Sequence, residues 1–314
     1  MSSDDSIAAS RRGVLKCLAF GGAGTLFGLA GGVLAPLDLA LAATKGRKSA
    51  PLDTPLFVQI SDTHIGFNKE ANPDVAGTLK QTIDLVNGMP VKPAFILHTG
   101  DITHLSKASE FDTAAQLLSE LKVSELHTTP GEHDMADASA SEYFNRYGKA
   151  SANRGYYSFD TRGVHFVGLI NVLNFKPNGL GALGSEQLEW LEADLKGRSA
   201  STPIVVFAHM PLWTIYEPWG WGTAEGDAIA ALLRRFGSVT VLNGHIHQTM
   251  QKVEGNVTFH TAASTAFPQP APGKADSPGP MKVPAEQLRS VLGITDVNYV
   301  QGQHALAVVD SSLA

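Results

Sequence analysis

Residues 56–64 read LFVQISDTH, an apolar run followed by two candidate metal ligands, Asp62 and His64. Such a run predicts a buried β-strand. The arrangement recurs in residues 94–101, AFILHTGD, where a second predicted strand leads to Asp101. Because a fold can bring polar side chains together at strand ends, these two stretches predict both the architecture and the site.

Segments with helical spacing separate the predicted strands. Residues 74–87 carry apolar side chains at helical intervals before Gly88, a stop signal, and a second helix is expected over 109–121. Residues 125–128 form a third predicted strand. The order strand, helix, strand, helix, strand predicts a parallel sheet with crossover helices.

The second half of the chain adds a further set of strands. A hairpin is expected where 156–160 and 164–170 flank a Thr-Arg-Gly turn. Strands are also predicted over 204–208, 239–242, 257–261 and 305–309, and helices over 227–236 and 185–195, the latter with Ser185 as N-cap. Residues 268–280 are rich in Pro and Gly and predict a loop. The simplest assembly is one α/β domain, a sandwich of two sheets with outer helices.

The composition narrows the class of protein. Of 314 residues, 43% are hydrophobic and 17% charged, which favours a loop-rich α/β or α+β domain over a coiled coil or a disordered chain. The formal net charge of −6 provides no basic footprint for nucleic acid, which argues against a DNA or RNA duplex as partner. The single cysteine, Cys17, lies in the leader, so the mature chain would have neither a disulfide nor a thiolate ligand.

The N-terminus has the pattern of an export signal. Residues 10–16, SRRGVLK, precede a weakly apolar stretch from Cys17 to about Ala35, and Ala40-Leu41-Ala42 offers a cleavage site. This order resembles a twin-arginine signal. An uncleaved membrane anchor is the alternative, because the stretch is nearly long enough to span a bilayer.

The export signal sets the expected domain boundaries. We expect a signal peptide over 1–42, a linker over 43–55 and the functional domain over 56–314. The mature protein would be periplasmic or secreted, with the twin-arginine machinery as a partner and no stable membrane anchor after cleavage. Its oligomeric state is left open.

Five short polar segments follow one another along the domain. They are 62–64 (DTH), 100–101 (GD), 131–134 (GEHD), 208–210 (AHM) and 244–247 (GHIH). Carboxylate oxygens and imidazole nitrogens are ligands for divalent metals. Six or seven such ligands suit two ions about 3.5–4 Å apart, so the sequence predicts a two-metal hydrolytic site.

This ordered set resembles the signature of the calcineurin-like metallophosphoesterase superfamily, from residue 56 to about 249. The resemblance implies a four-layer αββα sandwich of two mixed β-sheets flanked by helices. It also implies a dinuclear centre on the strand-end loops. Within the superfamily, the chain looks most like the bacterial branch that includes cyclic-nucleotide and glycerophosphodiester phosphodiesterases.

The resemblance also implies a role for each residue of the signature. Asp62, His64 and His247 would bind the first metal, Asp101 would bridge, and His209 and His245 would bind the second metal. His133 would stand outside the metal shell as a general acid or phosphate clamp, and Asp134 would orient it. The ions would be divalent or mixed-valence Fe, Mn or Zn.

Residue 132 departs from the superfamily pattern, because Glu132 stands where asparagine is expected. A free carboxylate would repel a phosphate ester by roughly 3 kcal/mol at ~5 Å and an effective dielectric of ~20. We therefore predict that Glu132 binds the second metal. Its charge should hold that ion more tightly than a neutral amide would.

The expected function is hydrolysis of a small phosphodiester or phosphomonoester by attack of a metal-bridging hydroxide. One alternative is a non-catalytic protein of the same fold that binds metal or phosphate, and Glu132 is the feature that supports it. A protein phosphatase is a second alternative. The sequence selects neither the metal nor the preference for monoesters or diesters.

The candidate substrate pocket is less sharply defined. His104 follows Asp101 on the same loop and is a candidate lining residue. Trp213 and Tyr216 lie in an aromatic segment after His209. They would form an aromatic wall beside the metals, a packed surface loop or a contact with another subunit.

Overall fold

The computed structural model describes residues 19–21, 25–30, 33–37, 55–136, 140–173, 179–299 and 306–314. The chain divides into two compact units, residues 1–53 and 54–314. In the first, β1 (Ala19–Gly21), β2 (Thr25–Ala30) and β3 (Val33–Leu37) form an antiparallel sheet. The twin arginines and the predicted cleavage site lie outside the described residues. Within the described ranges, no helix has both the length and the apolar character needed to cross a membrane.

The first sheet of the larger unit contains the predicted βαβαβ segment. Its strands are β4 (Pro55–Ile60), β5 (Phe95–His98), β6 (Leu126–Thr128), β13 (Gly293–Asn298) and β14 (Ala307–Ser312). They lie in the order β14-β13-β4-β5-β6. β4, β5 and β6 are parallel, with helices α1 (Val75–Gly88) and α2 (Ala108–Leu118) between them in sequence. β13 pairs antiparallel with β4, so the sheet is mixed.

The second sheet has six strands and is also mixed. They are β7 (Tyr157–Thr161), β8 (Val164–Gly168), β9 (Ile204–Phe207), β10 (Val239–Asn243), β11 (Met250–Glu254) and β12 (Val257–Thr261). They lie in the order β11-β12-β10-β9-β8-β7. The four inner strands are parallel and the two edge strands antiparallel. The remaining helices are α3 (Ser141–Tyr147), α4 (Ser185–Lys196), α5 (Gly226–Leu233) and α6 (Ala285–Val291).

Side chains that point to opposite faces of the strands form three hydrophobic cores. Phe57 and Phe95 of the first sheet pack with Phe166 and Phe207 of the second, and all four are fully buried. The neighbouring residues on the same strands face the helices: Val58 packs with α1 and α2, and Val206 packs with α4 and α5. Because side chains alternate across a strand, each sheet has one face for its partner sheet and one for helices. The four-layer αββα prediction is therefore confirmed.

Local sequence accounts for several boundaries. Asp74 caps α1 by accepting a hydrogen bond from the Gly77 N–H at 2.8 Å. Arg162 and Gly163 join β7 to β8 with φ of 51° and 80°, the left-handed conformations of a two-residue hairpin turn. The predicted hairpin is confirmed. Its second strand ends at Gly168, two residues earlier than predicted.

The prediction that Ser185 caps α4 is wrong. Ser185 is the first helical residue, and Gly184 before it, at φ 79°, makes no side-chain cap. Glu225 instead accepts hydrogen bonds from the N–H groups of Leu183 and Gly184 at 3.1 and 3.2 Å. A carboxylate distant in sequence thus serves the start of the helix.

Four α-helices and strands in the described part of the larger unit have no counterpart in the sequence prediction. They are α3, β11, α6 and β13. β13 reads GITDVN, whose polar residues hide the strand pattern. It pairs with β4, more than 200 positions earlier in the chain, and with β14, fewer than 20 positions later.

Candidate metal centre

The predicted ligands lie just beyond the carboxyl ends of five parallel strands. β4, β5 and β6 present those of the first sheet, and β9 and β10 present those of the second. Backbone bonds join the loops within each sheet: the His64 N–H donates to Asp101 O at 2.9 Å, and the Gly244 N–H to His209 O at 2.9 Å. The His245 N–H donates to Asp62 Oδ1 at 3.1 Å, and this bond joins the loops of the second sheet to those of the first.

The backbone is left-handed at five of the seven predicted ligands. The φ angles are 54° at Asp62, 41° at His64, 54° at Asp101, 70° at His245 and 55° at His247. A non-glycine residue in this region costs about 1 kcal/mol or more, and such residues cluster at functional sites. Gly244 allows the close approach of the strands, since a Cβ there would lie 2.0 Å from Ser61 Oγ. The strain indicates that side-chain direction is set by function.

One group of ligand atoms belongs to Asp62, His64 and His247. His247 Nε2 lies 3.4 Å from Asp62 Oδ1 and 3.1 Å from His64 Nε2. His64 Nε2 is also 3.5 Å from Asp101 Oδ2. All four residues are buried.

A second group belongs to Glu132, His209 and His245. Glu132 Oε2 lies 3.0 Å from His209 Nε2, and Glu132 Oε1 lies 3.0 Å from His245 Nδ1. Asp101 Oδ2 is 3.4 Å from His209 Nε2. Asp101 is therefore shared by the two groups, as a bridging ligand would be.

Backbone carbonyls fix which nitrogen of His209 and of His247 faces the cluster. His209 Nδ1 lies 2.7 Å from Thr99 O, and His247 Nδ1 lies 2.6 Å from Phe267 O. A carbonyl can only accept, so each Nδ1 carries the proton and each Nε2 is directed at the carboxylates. Such outer hydrogen bonds orient metal-binding histidines.

The second group leaves polar atoms buried without partners. Glu132 Oε2, His209 Nε2 and His245 Nδ1 make no hydrogen bond of good geometry in the described part of the chain. The ligand atoms are separated by 3.0–3.5 Å. Bonds of about 2.1 Å to one ion put neighbouring ligands about 3.0–3.4 Å apart. The oxygen and nitrogen donors therefore fit two transition-metal ions.

Imidazoles at the centre stabilise the ionised form of the neighbouring carboxylates. Burial would raise the pKa of Asp62, but the imidazoles of His247 and His209 outweigh it and lower this pKa to about 2. Burial likewise opposes the ionised form of Glu132, and His245 and His209 lower its pKa well below the usual range. Both carboxylates are thus ionised and ready to bind a cation.

Comparison with known proteins agrees with this geometry. The family description "Calcineurin-like phosphoesterase" matches residues 55–249. The chain belongs to this family. The glycerophosphodiester phosphodiesterase GpdQ of Enterobacter lignolyticus is 27% identical over 271 residues, covering 80% of this chain and 91% of that protein. The probable GpdQ of Arcobacter nitrofigilis is 26% identical over 218 residues, covering 67% and 78%.

Solved structures share the fold of this phosphoesterase. A dimetal phosphatase from Danio rerio has a TM-score of 0.64 with it at 14% identity, and the match covers 83% of this chain and 97% of that one. At this identity the likeness shows a common fold. It agrees with the two mixed sheets flanked by helices.

His133 lies beside the metal-ligand groups. Its backbone N–H donates to Asp101 Oδ1 at 3.0 Å, and its Nδ1–H donates to His104 O at 2.7 Å. Burial would lower the pKa of His133, but the carboxylates of Asp101 and Glu132 outweigh it and raise that pKa. The ring can therefore hold a proton beside the cluster.

Asp134 does not orient the His133 ring as predicted. Its carboxylate accepts from the N–H groups of Ile102, Thr103 and Gly131 at 3.0, 2.8 and 3.1 Å, and from the Thr103 hydroxyl at 3.0 Å. These bonds join the loop after β5 to the loop after β6. The carbonyl of His104 holds His133 instead.

The three predicted pocket residues lie in different surroundings. His104 is half-buried, and its ring stacks on His133 with centroids 4.9 Å apart. Trp213 packs on Phe259 at 5.2 Å, in the core beneath α4 and α5. Tyr216 packs edge-on against Trp219. These contacts are those of a packed loop, and a substrate-contacting role for Trp213 and Tyr216 stays a prediction.

Sequence reasoning missed Asn243, one of two buried amides that hold the His209 turn. Asn243 Nδ2 donates to the carbonyls of Ala208 and Met210, both at 2.9 Å, and Asn171 Nδ2 donates to Met210 O at 2.9 Å. Asn243 and Asn171 are almost completely buried. Their signal in the sequence was an asparagine directly after an apolar strand, the same position that marks the ligands.

Phe267 was also missed. Its carbonyl accepts from His247, and its ring stacks on His64 with centroids 4.8 Å apart. Ser264 supports this loop by accepting from the N–H groups of Ala266 and Phe267 while donating to Asp62 O at 2.8 Å. No periodic pattern distinguishes these residues.

Proposed function

We propose that this chain is an exported, two-metal hydrolase of small phosphodiesters and phosphomonoesters. The observation that carries the proposal is the pair of ligand groups sharing Asp101, with buried nitrogen and oxygen atoms directed at the same points. The named relatives, which are glycerophosphodiester phosphodiesterases, support a diester as the preferred substrate.

The residues of the two ligand groups would hold one ion each. The first ion would be held by Asp62, His64, Asp101 and His247, and the second by Asp101, Glu132, His209 and His245. Bound Fe, Mn or Zn ions would polarise the phosphoryl oxygens and lower the pKa of water toward ~7. The protein itself contributes the rigid ligand geometry, because the tautomers of His209 and His247 are fixed by carbonyls.

His133 is suited to act on the leaving group. Its Nδ1 is committed to His104 O, which leaves Nε2 as the nitrogen able to donate a proton. A proton donated to the departing oxygen is general acid catalysis, which contributes about 100-fold or more.

The test compares activated aryl monoester and diester phosphates with Mn²⁺, Fe²⁺ or Zn²⁺ added to metal-depleted protein. We expect metal-dependent hydrolysis, about a 100-fold loss in His133→Ala, and loss of binding of one ion in His209→Ala. His127→Gln is the matched control, because His127 lies on β6 and bonds Glu125 rather than the cluster.

The same assay separates the rival functions. Binding of two ions and inorganic phosphate without turnover would favour the non-catalytic alternative. Turnover of phosphopeptides in preference to small esters would favour a protein phosphatase.

The export proposal rests on residues 10–42 of the sequence. Export would suit a role in phosphate acquisition or on an envelope substrate. Cell fractionation should find wild-type protein outside the cytoplasm and the double variant Arg11→Lys, Arg12→Lys inside it. Equal distribution of both would contradict export by the twin-arginine route.

A further inference from the structure

We propose that His104 is a positioning residue that holds the His133 ring in place to donate to the leaving group. The inference rests on the proposed function, because it concerns the acid of that reaction. It depends on the contacts of the short turn 104–106 with His133.

The turn contacts His133 in three separate ways. The His104 carbonyl accepts the Nδ1–H of His133 at 2.7 Å. The two imidazole rings stack with centroids 4.9 Å apart and an interplanar angle of 16°. The Ser106 hydroxyl donates to His133 O at 2.6 Å and accepts from the Ala136 N–H at 3.0 Å. One turn therefore holds both the backbone and the ring of His133.

The turn is itself fixed by groups other than the metal ligands. Ser106 is buried and has φ 55°, a left-handed conformation that other contacts must maintain. The buried carboxylate of Glu110 accepts from the Leu105 N–H at 2.7 Å. A rigid turn is what a positioning surface requires, since a loosely held ring would lose alignment.

His64 confines the His133 ring from another direction. The two rings meet edge-on, with centroids 4.8 Å apart and an interplanar angle of 80°. The stack with His104 and the edge of His64 together restrict rotation of the ring, and the Nδ1–H bond sets its orientation. Nε2 is then the free donor.

His104 also contacts His64, a ligand of the proposed first ion, so its loss can affect activity through metal binding as well as through His133. The two Nδ1 atoms lie 3.4 Å apart, a long contact. If this contact mattered most, losing His104 would weaken metal binding. If the stack matters most, the loss would depend on the leaving group and on His133.

The experiment uses full-length protein with metals bound and a pair of diesters, one with an activated aryl and one with an alkyl leaving group. His104→Ala should lose about tenfold more kcat on the alkyl ester than on the aryl ester, with little change in KM. His104→Phe, which keeps a flat ring, should recover most of that loss. His104→Asn, which keeps a nitrogen but no ring, should not.

A double-mutant cycle asks whether the effect passes through His133. In a His133→Ala background, His104→Ala should add less than about twofold, because its partner is gone. The proposal would be overturned if the losses from the two substitutions multiplied in the double variant, or if His104→Ala lost equal activity on both esters. Loss of bound metal from His104→Ala, measured by elemental analysis, would also overturn it, since that result would mean that His104 acts through the metal ligand His64.

A measurement without substrate keeps this proposal separate from the proposed function. In ¹H–¹⁵N spectra of the protein, the Nδ1–H proton of His133 should exchange with water at least about tenfold faster in His104→Ala than in wild type. An unchanged rate would overturn the positioning role even if the enzyme were active. Absence of all hydrolysis with this exchange difference intact would instead contradict the proposed function alone.

Discussion

Glu132→Gln tests the unusual carboxylate of the second ligand group. The substitution keeps the length of the side chain and one oxygen but removes the charge. Glu132 lies 3.0 Å from both His209 Nε2 and His245 Nδ1, so an ion bound to these groups must lie close to its carboxylate.

The size of the effect follows from the cluster. The ligand atoms all lie within 4.8 Å of one another, which is an upper limit for the distance between the ion and the carboxylate. At that distance a dication and a carboxylate attract by about 1.7 kcal/mol with the full screening of water, and by about 7 kcal/mol at an effective dielectric of ~20. Even the smaller value predicts about a 15-fold loss of affinity for the second ion.

Isothermal titration of metal-depleted protein with Mn²⁺ measures both binding steps. We expect the weaker step of Glu132→Gln to shift by at least about 15-fold while the other step changes less. Glu192→Gln, at an exposed position of α4, controls for loss of one surface charge.

Unchanged affinity for the second ion in a folded Glu132→Gln protein would refute the reasoning. Glu132 would then be a free charge beside the phosphate site. In that case the variant should bind inorganic phosphate more tightly than wild type, because a repulsion has been removed.

Three further predictions concern stability and the support of the centre. Phe207→Ala should destabilise the fold by about 3–5 kcal/mol in urea unfolding, because the ring is fully buried between the sheets; a loss below about 1 kcal/mol would contradict that packing. Asn243→Ala should lower metal affinity about tenfold in titration calorimetry, because the carbonyls of the His209 turn lose their donor; equal affinity would show that the turn holds without it. Burial and then Asp310 raise the pKa of Asp296 above 3.8, so its contribution to stability is full below that pH and is lost as the pH rises. Asp296→Asn should therefore raise Tm at pH 7 and give no gain near pH 3.5, and a lower Tm at pH 7 would contradict the sign.

The apolar runs before Asp62 and Asp101 predicted β4 and β5 because a strand buried on both faces is nearly continuous in apolar residues. The helices between them followed from spacing and stop signals. β13 was missed because a strand held by partners on either side needs no pattern of its own. Asp134 was misassigned because neighbours in sequence need not be partners in space.

The sequence by itself determined the order of strands and helices from β4 to β6 and the residue types that follow the ligand-bearing strands, because these depend on local periodicity and chemistry. Only the tertiary structure decided which atoms meet. His209 Nδ1 bonds a carbonyl 110 positions away, and His245 reaches an aspartate 183 positions away. Such partners are set by the packing of two sheets, a property that no short segment of the chain contains.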